Sequence, residues 1–224
     1  MTSTSTRTAP GSAPQRSSAT AWIVAGVLIV VIVLVAVIAI VASGGGDDDA
    51  PATTLAGSSE TQPATISGDA LPPFEPGASA DAAVGLTAPT VSGSSFDGTP
   101  VSIEPGRVTM LAFLAHWCPH CQREVPTLTE WEAEGGVPEA VDVIGVATAT
   151  RQESPNYPPS AWLAREGFPF PVVADDPSYS VGQAYGLSSF PYFVVLDAEG
   201  KVAGRAVGEL SSESLAELLA AAGA

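Results

Sequence analysis

The stretch from Ala21 to Ala42, AWIVAGVLIVVIVLVAVIAIVA, carries no charge and no strongly polar side chain. At 1.5 Å rise, twenty-two helical residues reach about 33 Å, enough to cross the hydrocarbon core of a bilayer. A cleaved signal peptide has a shorter apolar region, about 7–15 residues, before a small-residue cleavage site. The longer run here reads as an uncleaved transmembrane anchor, and no cysteine follows it to accept a lipid. Arg7 and Arg16 precede the span, and Asp47, Asp48 and Asp49 follow it. Basic residues favour the cytoplasmic side, so the expected topology is a single pass through the cytoplasmic membrane. The N-terminus lies inside and the rest of the chain is extracytoplasmic.

The anchor divides the remainder. Residues 1–20, rich in Ser, Thr, Ala and Pro, read as a disordered cytoplasmic tail. Residues 43–80 lack hydrophobic periodicity and read as a flexible Gly/Pro/Ser-rich linker, stiffer around Pro72, Pro73 and Pro76. Residues 81–224 are long enough for one well-buried core without disulfide staples. With 8 basic against 24 acidic residues, a net charge of −16, the chain is a poor nucleic-acid binder, because phosphate needs basic patches.

Within residues 81–224, strand and helix signals alternate. Val101–Ile103 follows a turn at Asp97-Gly98 and reads as a strand. Val108–Ala115, VTMLAFLA, is a nearly continuous apolar run, as expected of a buried central strand. A helix follows from Pro119 to the stop at Gly135-Gly136, with Pro126 inside it as a source of kinking. Further strands are expected at 141–148, 171–174, 192–196 and 201–207, the last two as a hairpin, and helices at 160–166 and 180–185. Ser211 or Ser212 caps a final helix with Leu215, Leu218 and Leu219 on one face. This order predicts an α/β fold: a central mixed sheet with helices on both faces.

The only two cysteines and the only two histidines lie together in Ala115–Gln122, AHWCPHCQ. Cys118 and Cys121 are three apart at a helix start, hence on one face and within disulfide reach. Cys118 lies at the helix N-terminus, where the dipole and free N–H groups stabilise the thiolate that attacks in disulfide exchange. Cys118 is therefore the nucleophile and Cys121 the resolving thiol. Haem attachment would need histidine where Gln122 stands. Structural zinc would need His116, Cys118, His120 and Cys121 to converge as a tetrahedron, which adjacent positions at a strand end and helix start resist. A Cu(I) chaperone using both thiols remains as a second functional class. No cofactor beyond the redox-active Cys118–Cys121 pair is expected, and no resident metal.

The run Phe113–Cys121, FLAHWCPHC, after an apolar strand resembles the thioredoxin superfamily, and the wider pattern resembles its membrane-anchored TlpA/ResA-type thiol–disulfide oxidoreductases within the redoxin (AhpC/TSA-like) group. Ala88-Pro89 with Asp97-Gly98-Thr99, Glu124-Val125-Pro126, Phe168–Asp175, Tyr185-Gly186-Leu187 and Phe190–Asp197 with Gly200 carry the likeness over residues 83–222. It implies a thioredoxin-like fold and exchange of disulfides with protein thiols. It also implies a cis bond at Pro191 beside the active pair, in a substrate groove with Trp117 as a flat rim. Phe190 departs from the small or β-branched residue common there and is expected to narrow or grease that groove. Ala112 stands where thioredoxins carry a buried acid. Glu124 is the nearest carboxylate in sequence and a candidate proton carrier, although its ordinary reading is a solvated helix residue.

The direction of electron flow rests on Pro119 and His120. A protonated His120 lowers the pKa of its neighbour Cys118 and stabilises the reduced form, making the disulfide more oxidising. Pro119-His120 is also the dipeptide of the DsbA oxidases. The 70 positions from Cys121 to Pro191 instead match the TlpA/ResA layout, which implies a reductase, for example in cytochrome c maturation. The balance leans slightly to an oxidising pair, reset by a membrane redox partner.

Overall fold

The computed structural model describes residues 59–223. The expected tail at 1–20, the anchor at 21–42 and the first part of the linker lie outside these residues. Among the described residues, no helix is long and apolar enough to cross a membrane.

The central sheet has five strands in the order β6-β5-β4-β7-β8. They are β4 (Val108–Leu114), β5 (Val141–Ala147), β6 (Val172–Ala174), β7 (Tyr192–Leu196) and β8 (Val202–Val207). β4 lies in the middle because its side chains are apolar on both faces, as a strand covered on both sides requires. It runs parallel to β5, with Ala112 opposite Gly145, and antiparallel to β7, with Ala112 opposite Phe193. β7 turns back into β8 through Asp197–Gly200, where Gly200 takes φ 77, which favours glycine. The mixed sheet is therefore the one the alternation predicted.

Alternate residues of β4 feed two cores. Met110, Ala112 and Leu114 pack against α1 (Pro119–Ala133), α2 (Pro159–Arg165) and α4 (Ser212–Ala220) through Val125, Leu128, Trp131, Trp162, Leu215 and Leu219. Leu111 and Phe113 face the other way, toward Val181, Ala184 and Tyr185 at α3 (Ser180–Ala184). That second face is also covered by a smaller antiparallel sheet of β1 (Thr65–Ser67), β2 (Thr90–Ser94) and β3 (Pro100–Ile103). Ser211 caps α4, its side chain accepting the Ser214 N–H.

The linker expected up to residue 80 is corrected by the structure: the fold starts at or before Ser59. β1 pairs with β2, and Leu71 is buried in the second core. The Gln62 N–H donates to Ala174 O at 3.1 Å, Leu71 N–H to Ala184 O at 2.8 Å, and Phe74 N–H to Gly186 O at 2.9 Å. A strap of this kind satisfies its backbone through tertiary contacts and buries isolated side chains. It has no period that a sequence would reveal.

Arg205 on β8 fastens the strap. Its side chain is fully buried and ion-paired with Asp81. It also donates to Pro72 O at 2.8 Å and to the Tyr192 hydroxyl at 3.1 Å, and its guanidinium lies 5.3 Å from the Phe74 ring centroid.

Candidate active site

The chain leaves β4 at its C-terminal end and makes one turn, closed by the Cys118 N–H donating to Ala115 O at 2.9 Å. Cys118 is the extended N-cap residue of α1, with no side-chain cap bond, and Pro119 takes the first helical position, exposed, where a missing N–H costs nothing. Both cysteines are free thiols. Cys118 lies at the mouth, 6% exposed, whereas Cys121 is fully buried one turn deeper. The Cys121 sulfur accepts the Ala115 N–H at 3.4 Å, and burial pushes its pKa far above the ordinary thiol range. The two sulfurs are thus unequal: one meets the outside, the other waits behind it.

The Phe190–Pro191 bond is cis. It opens β7 and turns the Phe190 carbonyl toward the Cys118 sulfur, 3.9 Å away. The Phe190 ring is half-buried and meets Trp117 edge-on, with centroids 5.7 Å apart. Trp117 is held by its own Nε1–H, which donates to Ala149 O at 2.8 Å. Trp117, Cys118 and Phe190 therefore lie together at the mouth, with Pro191 buried behind Phe190 in the chain.

Glu124 is not a solvated helix residue. It is 1% exposed, on the same buried face of α1 as Cys121. Its Oε2 accepts the Leu210 N–H at 3.0 Å, while the buried Oε1 has no hydrogen-bond partner among the described residues. Burial pushes its pKa up to about 7, against the Leu210 hydrogen bond and with a smaller push from Glu209. A carboxyl that titrates near neutrality and has one free oxygen is equipped to carry a proton. Ala112, where an acid might have stood, lies in the same core cluster as Cys121, so the acid comes from the helix instead of the strand.

His120 is exposed beside Cys118. Its Nδ1 lies 2.6 Å from Glu209 Oε1 and 2.9 Å from Arg123 Nη2. One nitrogen cannot both donate to the carboxylate and accept from the guanidinium. The shorter contact, and the two bonds Arg123 already makes to Glu209, select Nδ1–H donation to Glu209. These bonds hold the Glu209 carboxyl down at about 2, Arg123 acting more strongly than His120. Glu209, on the loop between β8 and α4, carried no sequence signal.

His116 is buried and turned away from the cysteines. Its Nδ1–H donates to Pro155 O at 2.7 Å and its Nε2 accepts the Arg151 N–H at 3.1 Å. That assigns a neutral ring, and burial lowers its pKa accordingly. With both nitrogens engaged, His116 does not join Cys118, His120 and Cys121, so the four-ligand zinc set is not assembled. Among the described residues, no group of three or more His, Cys, Asp and Glu side chains is placed to hold a metal ion.

The Redoxin family profile matches residues 67–220. The chain belongs to the redoxin family. Over 154 residues this redoxin is 31% identical to the thiol:disulfide interchange protein DsbE homolog of Paracoccus denitrificans, a match spanning 67% of this chain and 80% of that one. Over 143 residues it is 28% identical to the thiol-disulfide oxidoreductase ResA of Geobacillus thermodenitrificans, spanning 61% and 76%. The crystal structure of a putative thiol:disulfide interchange protein DsbE from Chlorobium tepidum matches with a TM-score of 0.52 at 25% identity, over 62% of this chain and 96% of that one. The protein is a TlpA/ResA-like redoxin of the thioredoxin superfamily and a thiol–disulfide oxidoreductase. In this redoxin Cys118 at the mouth, the deeper Cys121 and the buried Glu124 follow one another along the start of α1.

Proposed function

We propose that this redoxin exchanges disulfides with protein substrates outside the cytoplasmic membrane, held there by residues 21–42, through Cys118 and Cys121 and without another cofactor. The reading is carried by the placement of Cys118 at the mouth, facing the carbonyl before Pro191, with Cys121 sealed behind it. A substrate thiolate attacks Cys118 of the oxidised pair, the Cys118–Cys121 bond breaks, and Cys121 leaves. Glu124 is the proton donor to that leaving sulfur. A second substrate thiolate then attacks the substrate sulfur of the mixed disulfide and expels Cys118 as thiolate. The substrate dithiol becomes a disulfide, and the pair keeps two electrons for a membrane redox partner to remove.

We favour this oxidising direction because of the cluster beside Cys118. His120 and Arg123 lie on the same first turn of α1 as Cys118 and share the Glu209 carboxylate, so two nitrogen donors face one carboxylate at the side of the site, the cluster the DsbA-like dipeptide Pro119-His120 supplies. The reverse direction, a TlpA/ResA-type reductase of the kind serving cytochrome c maturation, is favoured by Glu124. A base next to the buried Cys121 is what release of a reduced substrate requires. A Cu(I) chaperone has the two thiols, but His120 Nδ1 is bonded to Glu209 and both ring nitrogens of His116 are engaged, which disfavours a histidine joining the thiols in a trigonal site.

Cys118→Ser is expected to abolish exchange, and Cys121→Ala to accumulate mixed disulfides with substrate proteins, visible on non-reducing gels. Loss of trapping in the second variant would remove the assignment of roles. The direction is settled by the reduction potential against glutathione. His120→Ser is expected to shift the pair toward reduction of substrates, and an unchanged potential would defeat the oxidising reading.

A further inference from the structure

The segment following β5 is pinned to the two residues before Cys118 by four hydrogen bonds. Trp117 Nε1–H donates to Ala149 O at 2.8 Å, and Ala149 takes φ 50, a left-handed conformation uncommon for alanine. The Arg151 N–H donates to His116 Nε2 at 3.1 Å, His116 Nδ1–H to Pro155 O at 2.7 Å, and the Asn156 side-chain amide to His116 O at 3.3 Å. Asn156 is left-handed as well, with φ 60. Much local conformation is committed here, and the outcome is the position of one side chain. The Arg151 guanidinium lies over the Trp117 ring, 3.9 Å from its centroid.

Among the described residues, that cation has no carboxylate partner. Arg107 pairs with Asp142, Arg123 with Glu209, Arg165 with Glu166 and Arg205 with Asp81. Exposed Arg151 makes no such pair among the described residues, although acidic residues outnumber basic ones threefold, 24 to 8. Stacking uses the flat face of a guanidinium and leaves its edge N–H donors, which fit a carboxylate bidentately. Trp117 meets Phe190, whose carbonyl faces the Cys118 sulfur. Arg151, Trp117 and Phe190 thus form a row beside the reacting sulfur, a path of about 10 Å from the guanidinium to the Phe190 ring, or roughly three residues of extended chain.

We propose that Arg151 determines substrate specificity by pairing with an Asp or Glu about three residues from the reacting cysteine of an extended substrate segment. This rests on the thiol–disulfide exchange reading above and adds the chemistry of the partner to it. His116 is the positioning residue, holding the Arg151 backbone through a neutral ring nitrogen.

The test uses the full chain in detergent, reduced, against two disulfide-bonded peptides that differ only in Glu or Lys at the second and third positions from the cysteine. Second-order exchange rates are read by tryptophan fluorescence at low and high salt. The wild type is expected to prefer the Glu peptide about three- to tenfold at low salt, and 0.5 M NaCl to erase most of that preference. Arg151→Gln is expected to remove the preference and Arg151→Glu to invert it, while Arg151→Lys keeps part of it. Equal wild-type rates for the two peptides, or a preference that survives Arg151→Gln, would overturn the assignment while leaving exchange intact. Absence of exchange with either peptide would overturn the exchange reading and this assignment together.

Discussion

Glu124 shows how much one residue's role depends on what folds over it. The sequence marks it as a carboxylate three after Cys121, in a position where most glutamates are solvated. The loop before α4 changes that by bringing Leu210 and Glu209 against α1, eighty-six positions away in the chain. With a folded pKa of about 7 against an ordinary 4.5, the folded state holds a proton that the unfolded chain releases. Below about pH 4.5 both states are protonated and nothing is lost. Stability then falls as the pH rises from about 4.5 to about 7. Glu124→Gln is expected to flatten this slope and raise stability at pH 8 by about 2 kcal/mol, measured by urea titration across pH. The same change is expected to remove the inflection near pH 7 in the rate at which Cys121 resolves a mixed disulfide. Persistence of that inflection would take the proton-carrier role from Glu124. The cysteines were readable as residue types at a spacing, and the proline of the groove through the family resemblance. Burial of Glu124, the two backbone bonds of His116 and the part played by Glu209 were not, because each depends on a neighbour distant in sequence.

At the scale of elements, the regular pieces follow from pattern. β4 and β5 are runs of mostly apolar residues, Pro119 and Ser211 mark helix starts, and the hairpin of β7 and β8 turns at Gly200, so these segments were legible within a residue or two. The strap at 59–81 and the loop at 149–156 were not, because each is held by backbone bonds to other elements. Gly186 lies where the strap crosses the end of α3. It takes φ 74, and a Cβ there would meet Pro72 O at 2.3 Å and Arg205 Nη1 at 2.8 Å. The carbonyl belongs to backbone and cannot swing aside. Gly186→Ala is expected to cost about 3 kcal/mol, seen as a lower denaturation midpoint together with faster proteolysis within residues 59–81. A variant as stable as the wild type would mean that the strap is loosely held.

At the scale of the whole described domain, one sheet separates two cores. The first contains the redox site; the second is closed by residues that a reading of composition assigns to a linker. The clasp is the buried Arg205–Asp81 pair. Removing one partner of a buried pair leaves an uncompensated charge, a loss of about 3–5 kcal/mol. Asp81→Asn is expected to lower the melting temperature by roughly 10 °C for a domain of this size, measured by calorimetry. A shift of only a degree or two would show that Pro72 O and the Tyr192 hydroxyl suffice for Arg205.

The clasp also bears on how the chain is made. Arg205 reaches Asp81 across 124 positions, Ser160 reaches Glu60 across 100, and the Tyr185 hydroxyl reaches Pro89 O across 96. Contacts this distant close late. A ribosome delivers the strap first and β8 nearly last, so the early residues wait without partners while about a hundred more are synthesised. During that interval the domain has no closed second core. The same contacts that seal the finished protein therefore keep the nascent chain open until its last strand has emerged.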